Sequence, residues 1–377
     1  MALETYNFYK FKNFKKEKRG NMIKPKKLNA GDKIAIVSLS SGVLGEAFCK
    51  HQLDLGIERL KKFGLEAVFM ENSLKGLEFI KNNPQARAND LKSAFYNPEI
   101  KAILCAIGGL DTHRIFEYLF NDEEFMSYVK NNPKIFIGYS DSTNNHLFFN
   151  KLNVVSYYGM NFLSDFAELD KNMLSYTEQN FKMFFENKPS RQILLSPEWY
   201  EERKDFSQSQ LGTARVKHDE KRGFQVIRGK GKIKGELFGG SLEVFYNGLN
   251  KDQQGKSTFK TFDLIPSKDV LKKIILFLET SEYKPEPKLF EKMIDLLIEN
   301  EILQNVKALI FGKPQDEVFF DEYKKILKDK SEKFDLPIFY NINFGHALPH
   351  NIIPYGIELE IDFDHKTLTL TEPLFDE

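Results

Sequence analysis

From Lys33 onward, short apolar runs alternate with amphipathic segments, and that alternation most restricts the folds open to this chain. KIAIVSLSS (33–41) reads as a strand and HQLDLGIERLKKFG (51–64) as a helix closed by Gly64. LEAVFM, QARANDLKSAFYN and KAILCAIGG repeat the pattern. THRIFEYLFNDEEFMSYVK reads as one helix, KIFIGYS as a strand, DSTNNHLFFNKLN as a helix, and VVSYYGMN closes the series. Continuous apolar strands between helices predict a parallel sheet covered on both faces, which is a doubly wound α/β domain.

The pattern then changes. SYTEQNFKMFFENKPS (175–190) reads as a connecting helix and linker, and EWYEERKDFSQSQLGTARVKHDEKRG (198–223) as a charged surface loop. A second apolar series follows in KIKGELFGGSLEVF, KKIILFLET, VKALIFGKP and LPIFYNINFGH, and IELEIDFDHKTLTLTEP alternates as a hairpin turning near Asp364–Lys366. The expected division is a flexible basic extension over 1–22, a first α/β domain over 23–165, a linker over 166–188 and a second domain over 189–377.

Bulk composition removes several function classes. Lys+Arg and Asp+Glu both total 54, and a chain with zero net charge lacks the cationic excess of a general nucleic-acid binder. Cys49 and Cys105 are the two cysteines; they supply neither a disulfide framework nor a metal-ligand cluster and fit a cytoplasmic, reducing location. No apolar run reaches transmembrane length, so no membrane partner is expected. The N-terminus is basic and aromatic, without the apolar stretch of a signal peptide.

Ligands of open α/β sheets bind beyond the carboxyl ends of the strands, and two such ends carry unusual residues. FIGYSDSTNN (136–145) places Ser140 where a strand meets a helix, in a spacing close to a nucleophile elbow but with Ser142 at the second glycine position. Ser140 reads either as a helix N-cap or as a nucleophile. Gly108 and Gly109 in AIGGLDTHRI mark either a turn or a close backbone approach. With Ser140 as nucleophile, the Asp141 amide and a glycine amide from 108–109 are the natural oxyanion donors.

A serine needs a base and an orienting carboxylate. Of seven histidines, His51, His113, His146, His218 and His365 have polar neighbours and read mostly as surface residues. His346 ends an apolar strand and precedes ALPHNIIPYG, where Pro349 and Pro354 stiffen the chain. His350 lies four residues on, but the prolines argue against a helical metal pair. Glu279 ends the apolar run Ile274 to Leu278 and is either solvated at a strand tip or buried and paired. Both His346 and Glu279 belong to the second domain, so a site built with Ser140 would lie between domains.

These landmarks, in this order, resemble the serine peptidases comprising the LD-carboxypeptidases and the microcin C self-immunity proteins. The likeness runs from about Ile23 to the C-terminus through KPKKLNAGDKIAIVSLSSG, ARANDLKSAFYNPEIKAILCAIGG, GYSDST, FGGSLEVF, LFLETSE, FGKP and NFGHALPHNIIPYG. It implies Ser140 as nucleophile, Glu279 as orienter, His346 as general base, and an oxyanion hole at Asp141 and Gly109 beside Gly108. It further implies a flavodoxin-like N-terminal domain, a smaller β-rich C-terminal domain, frequent homodimers, and no metal or cofactor.

The resemblance implies cleavage of an amide bond, in either of two substrates: a murein tetrapeptide losing its terminal D-residue, or an aminoacyl or peptidyl group leaving a nucleotide-like moiety. The interval between Ser140 and Glu279 is long for the simpler LD-carboxypeptidases, and its excess lies around SPEWYEERKDF. Trp199 in that loop reads either as a platform for a nucleobase or as a packed loop aromatic. Ser241 stands where the family often has asparagine. Ser241 and Lys313, the latter in FGKP, are the remaining expected substrate contacts. A catalytically silent α/β binding protein is the reading from another class.

Overall fold

The computed structural model describes residues 20–377. The basic extension expected over 1–22 falls, up to residue 19, outside the described residues. The first half contributes β1 (Lys33–Val37), β2 (Glu66–Phe69), β3 (Ile100–Cys105), β4 (Ile135–Gly138) and β5 (Tyr157–Tyr158). The second half contributes β6 (Arg191–Ile193), β7 (Glu198–Tyr200), β8 (Lys217–Asp219), β9 (Gln225–Arg228), β10 (Lys232–Ser241) and β11 (Ile274–Glu279). It continues with β12 (Ala308–Gly312), β13 (Ile338–Ile342), β14 (Ile353–Pro354), β15 (Glu358–Asp362) and β16 (Thr367–Leu370).

The first sheet runs β14-β5-β4-β3-β1-β2. Strands β1 to β5 are mutually parallel, in the order 2-1-3-4-5 of flavodoxin-like sheets, so the crevice beyond their carboxyl ends is the expected ligand position. The second sheet runs β6-β16-β15-β10-β11-β12-β13-β9, with a parallel centre from β10 to β13 and antiparallel strands on both flanks. Counted in strands it is the larger of the two sheets.

Periodicity located the elements and side-chain chemistry adjusted their ends. The single helix expected over 112–130 is broken into Phe116–Phe120 and Glu123–Asn131, because Asp122 turns its carboxylate onto the Phe125 amide at 2.8 Å and starts a new helix. The loop expected over 198–223 holds a two-stranded ribbon, β7 on β8, with Trp199 opposite His218. Its anchor is electrostatic. Glu168 receives Arg203 at 2.8 Å and Arg215 at 2.5 Å, with all three side chains nearly out of solvent. A charged stretch folds here because its charges are paired, which no hydropathy pattern reports.

The halves do not keep to separate sheets. Strand β14 comes from the C-terminal half yet pairs antiparallel with β5, Ile353 opposite Tyr158 and Pro354 opposite Tyr157. The Tyr157 hydroxyl donates to the Leu374 carbonyl at 2.8 Å, and a bridge joins Lys26 to Asp376. Buried side chains from both sheets, among them Phe136, Phe148, Phe277 and Tyr355, form one continuous apolar cluster. Shared strands and a shared core predict a single cooperative unfolding transition. In urea, far-ultraviolet circular dichroism, which follows both sheets, and the emission of Trp199, which follows the second half, should share one midpoint. Two separated midpoints would contradict it.

Candidate active site

Strand β4 ends at Gly138, Tyr139 stays extended at φ −145°, and Ser140 turns to φ +63° before a short helical turn leads into the helix Thr143–Lys151. A left-handed conformation costs a residue with a side chain roughly 1–2 kcal/mol. Fixed partners hold it. The Ser140 amide donates to the Tyr158 hydroxyl at 3.1 Å, and the Thr143 hydroxyl donates to the Ser140 carbonyl at 2.8 Å. Neither that turn nor the following helix has a side-chain cap, so Ser140 is not serving as an N-cap. Its Oγ is left facing the crevice.

Two loops close around this serine. A side chain at Gly108 would strike Ser140 Cβ at 2.8 Å and Oγ at 2.9 Å, so only glycine lets the end of β3 lie against the serine and the Asp141 amide. The buried Asp141 carboxylate pins that arrangement. It accepts from Ser40 Oγ at 2.5 Å, from the Thr112 amide at 2.8 Å and from Asn144 Nδ2 at 2.9 Å. One side chain thereby ties the loops after β1 and β3 to the start of the helix.

From the second sheet, β11 ends at Glu279, which is only 1% exposed. The Glu279 carboxylate is fully engaged: Oε1 accepts from the Tyr158 hydroxyl at 2.6 Å, and Oε2 accepts from the His346 amide at 3.1 Å and from His346 Nδ1 at 2.8 Å. Gly345 carries a φ of +83°, and a Cβ there would enter the Glu279 carboxylate at 2.4 Å. Glu279 is thus buried and paired, the second of the two readings open from the sequence. Tyr158 then spans the halves, accepting from the Ser140 amide and donating to Glu279.

Ser140, His346, Gly108 and Gly109 line one cavity of about 650 Å³, and the edge of the Tyr139 ring meets the His346 ring at 5.1 Å. The imidazole's free nitrogen, however, is paired with Glu282: His346 Nε2 lies 3.1 Å from the Glu282 carboxylate rather than bonded to Ser140. Glu279 and Glu282 thus hold the two ring nitrogens of His346 between them. Burial alone would lower the His346 pKa. The charge and hydrogen bonds of Glu279 and Glu282 outweigh burial and hold it well above 6.5. Burial and the Glu279 charge raise the pKa of Glu243, whose carboxylate accepts from the Ser281 amide at 2.8 Å.

The remaining expected residues are placed as follows. Ser241 lines a smaller cavity of about 270 Å³ that also contains Ser140; its amide donates to Thr143 Oγ1 at 3.0 Å and its Oγ to Glu243 at 3.2 Å. Lys313, expected to reach substrate, lies on the wall of neither cavity, because its buried ammonium is held between Glu220 at 2.8 Å and Glu317 at 2.6 Å. Trp199 stacks on His218 at 4.2 Å, and the Lys313 ammonium lies 5.6 Å from the indole. Its ribbon borders the larger cavity through the Tyr200 amide, which donates to the carbonyl of the lining residue Leu348 at 3.2 Å.

Sequence reasoning passed over five residues. His146, read with the surface histidines, is fully buried between Ser156 Oγ and the Gly138 carbonyl, and burial lowers its pKa to about 3. Tyr158 and Glu282 stood inside the motifs VVSYYGMN and LFLETSE without a signal distinguishing them. Phe206, at 43% exposure, and Phe48 form an aromatic lining to the larger cavity. His350 Nδ1 donates to the Asp165 carboxylate at 2.6 Å, and no group of three or more potential metal ligands is found among the described residues. No described helix is long and apolar enough to cross a membrane.

A serine held out at a strand tip shares a cavity with an imidazole backed by a carboxylate, the groups on which serine hydrolases rely. The LD-carboxypeptidase N-terminal domain matches residues 34–159 and the LD-carboxypeptidase C-terminal domain residues 234–361. The chain belongs to the LD-carboxypeptidase family of peptidases and is a hydrolase. It is 30% identical over 340 residues to YocD of Bacillus subtilis (strain 168), a protein assigned by name to the carboxypeptidases, covering 88% of this chain and 93% of that one. It is 25% identical over 354 residues to the microcin C7 self-immunity protein MccF of Escherichia coli, covering 92% and 94%. Among solved structures, an MccF-like protein from Streptococcus pneumoniae in complex with AMP superposes with a TM-score of 0.85 at 42% identity, covering 92% and 99%.

The paired carboxylates make a direct prediction. His346 should stay protonated through neutral pH, and the ion pair's stabilisation, full below 6.5, should be lost as pH rises through the higher folded-state value. A nitrogen-15 NMR titration should find that higher midpoint, and Glu282→Gln should lower it by removing one of the two carboxylates. A midpoint at or below 6.5 in the unaltered protein would contradict the assignment.

Proposed function

We propose that this protein is a serine amidase that severs an aminoacyl or short peptidyl group from a nucleotide-like moiety, with Ser140, His346 and Glu279 as its catalytic triad. One observation carries the reading: a serine in a left-handed turn shares a cavity with an imidazole whose Nδ1 lies 2.8 Å from a buried carboxylate.

In the first step Glu282 leaves His346 Nε2, the imidazolium gives its Nε2 proton to water, and Ser140 Oγ then attacks the amide carbonyl carbon while its own proton passes to that nitrogen. The carbonyl π electrons move onto oxygen, and the amides of Asp141 and Gly109 stabilise the oxyanion. Collapse of the intermediate breaks the C–N bond, and His346 returns the proton to the leaving nitrogen. Water then attacks the acyl-enzyme by the same route. Glu279 keeps Nδ1 protonated throughout and offsets the imidazolium charge. Tyr158 positions both partners through its two hydrogen bonds.

The nucleotide-linked substrate is supported by the aromatic lining of the larger cavity, by Trp199 on the adjoining ribbon, and by the AMP bound in the pneumococcal relative. The deciding experiment compares hydrolysis of an aminoacyl sulfamoyl-adenosine with that of an L,D-linked murein tetrapeptide. The purified enzyme should turn over the first, and Ser140→Ala or His346→Ala should abolish turnover, with the melting temperature little changed in Ser140→Ala. Unimpaired hydrolysis by either variant would remove the triad, and turnover of the tetrapeptide alone would make the protein a murein LD-carboxypeptidase.

Trp199→Ala should raise KM for the nucleotide substrate by about tenfold, the loss of one stacked base at roughly 1–3 kcal/mol. An unchanged KM would leave Trp199 as a packing residue on His218.

A further inference from the structure

Glu282 has no part in the acyl-transfer steps above, yet it stands on the walls of both cavities that contain Ser140. Its side chain is 43% exposed, and among the described residues it has no lysine or arginine partner. Two nearby cations are engaged elsewhere: Lys284 at Asp316 and Glu202, Arg215 at Glu168. The ion-pair contact Glu282 does make is with His346 Nε2, the atom that must receive the Ser140 proton.

That contact sets a condition on turnover. An imidazolium clamped between Glu279 and Glu282 cannot accept a proton, so Glu282 has to be drawn off before Ser140 can be activated. A neutral group entering the cavity offers nothing to replace the imidazolium as partner for that carboxylate, whereas an ammonium does. Because Glu282 touches the nitrogen that serves Ser140, a cation reaching it must sit close to the scissile carbonyl. In an aminoacyl compound the nearest cation is the ammonium on the adjoining carbon.

We propose that Glu282 is the subsite for the free α-ammonium of an aminoacyl substrate, and that its transfer from His346 to that ammonium lets the imidazolium give its Nε2 proton to water, which frees the base. This deepens the amidase reading, on which it rests, by naming unblocked aminoacyl compounds as the substrate class. Glu202, paired with Lys284, also lies on the wall of the larger cavity.

The probes are alanyl sulfamoyl-adenosine and its N-acetyl form, which differ in the α-ammonium and not in the side chain. Titrated calorimetrically into Ser140→Ala, which prevents turnover, the free amine should bind about tenfold tighter or better. The preference should vanish in Ser140→Ala/Glu282→Gln. With the triad intact, Glu282→Gln should lower kcat/KM for the free amine and raise kcat for the acetylated compound, since the base is then no longer held by a carboxylate. Equal binding of the two probes, or a preference that survives in the double variant, would overturn the proposal. Binding is read without hydrolysis, so an enzyme that bound with the expected preference but never turned over would sink the amidase reading while leaving the subsite standing.

Discussion

The buried carboxylate of Glu279 is the point on which the two halves of the molecule depend. A charge this far from solvent persists only when every lone pair is answered. Here the answers come from both sheets: a hydroxyl from β5, and an amide and ring nitrogen from the loop after β13. Removing any one donor would leave an unpaired charge in the core. The same three donors fix the spacing between the serine's turn and the histidine, so the demand for electrostatic satisfaction also sets the geometry of the site.

Tyr158 shows how local this coupling is. Its hydroxyl accepts from the amide of the one residue in the serine's turn that adopts a left-handed conformation, and donates to the acid. Backbone strain at Ser140 and charge burial at Glu279 are therefore relieved by a single phenol oxygen, whose own ionisation is suppressed by burial and by Glu279. The small-residue requirements follow from the same crowding: Gly108 yields space to the serine and Gly345 to the carboxylate.

Much of this was legible in the chain because it rests on pattern. Apolar alternation gave the strand order's raw material, and Ser140, Glu279 and His346 each ended an apolar run, where α/β sheets place chemistry. What escaped detection rests on pairing in space. Glu282 differs from a solvated glutamate only in what lies opposite it, and Lys313 looks free until Glu220 and Glu317 are seen around it. The β7–β8 ribbon folds on Glu168, some thirty residues upstream and inside the supposed linker. His146 had polar sequence neighbours, but its helix is buried on nearly every side. Periodicity reports burial of one face and is silent when all faces are covered.

The exchange of β14 into the first sheet has a consequence for access. The segment bearing His346 is anchored at one end by β13 in one sheet and at the other by β14 in its neighbour. Jaws built this way cannot gape without unzipping a strand, so the crevice admits guests by its mouth and not by a hinge. On the reading proposed above, a substrate is a compact molecule whose free end inserts into that mouth.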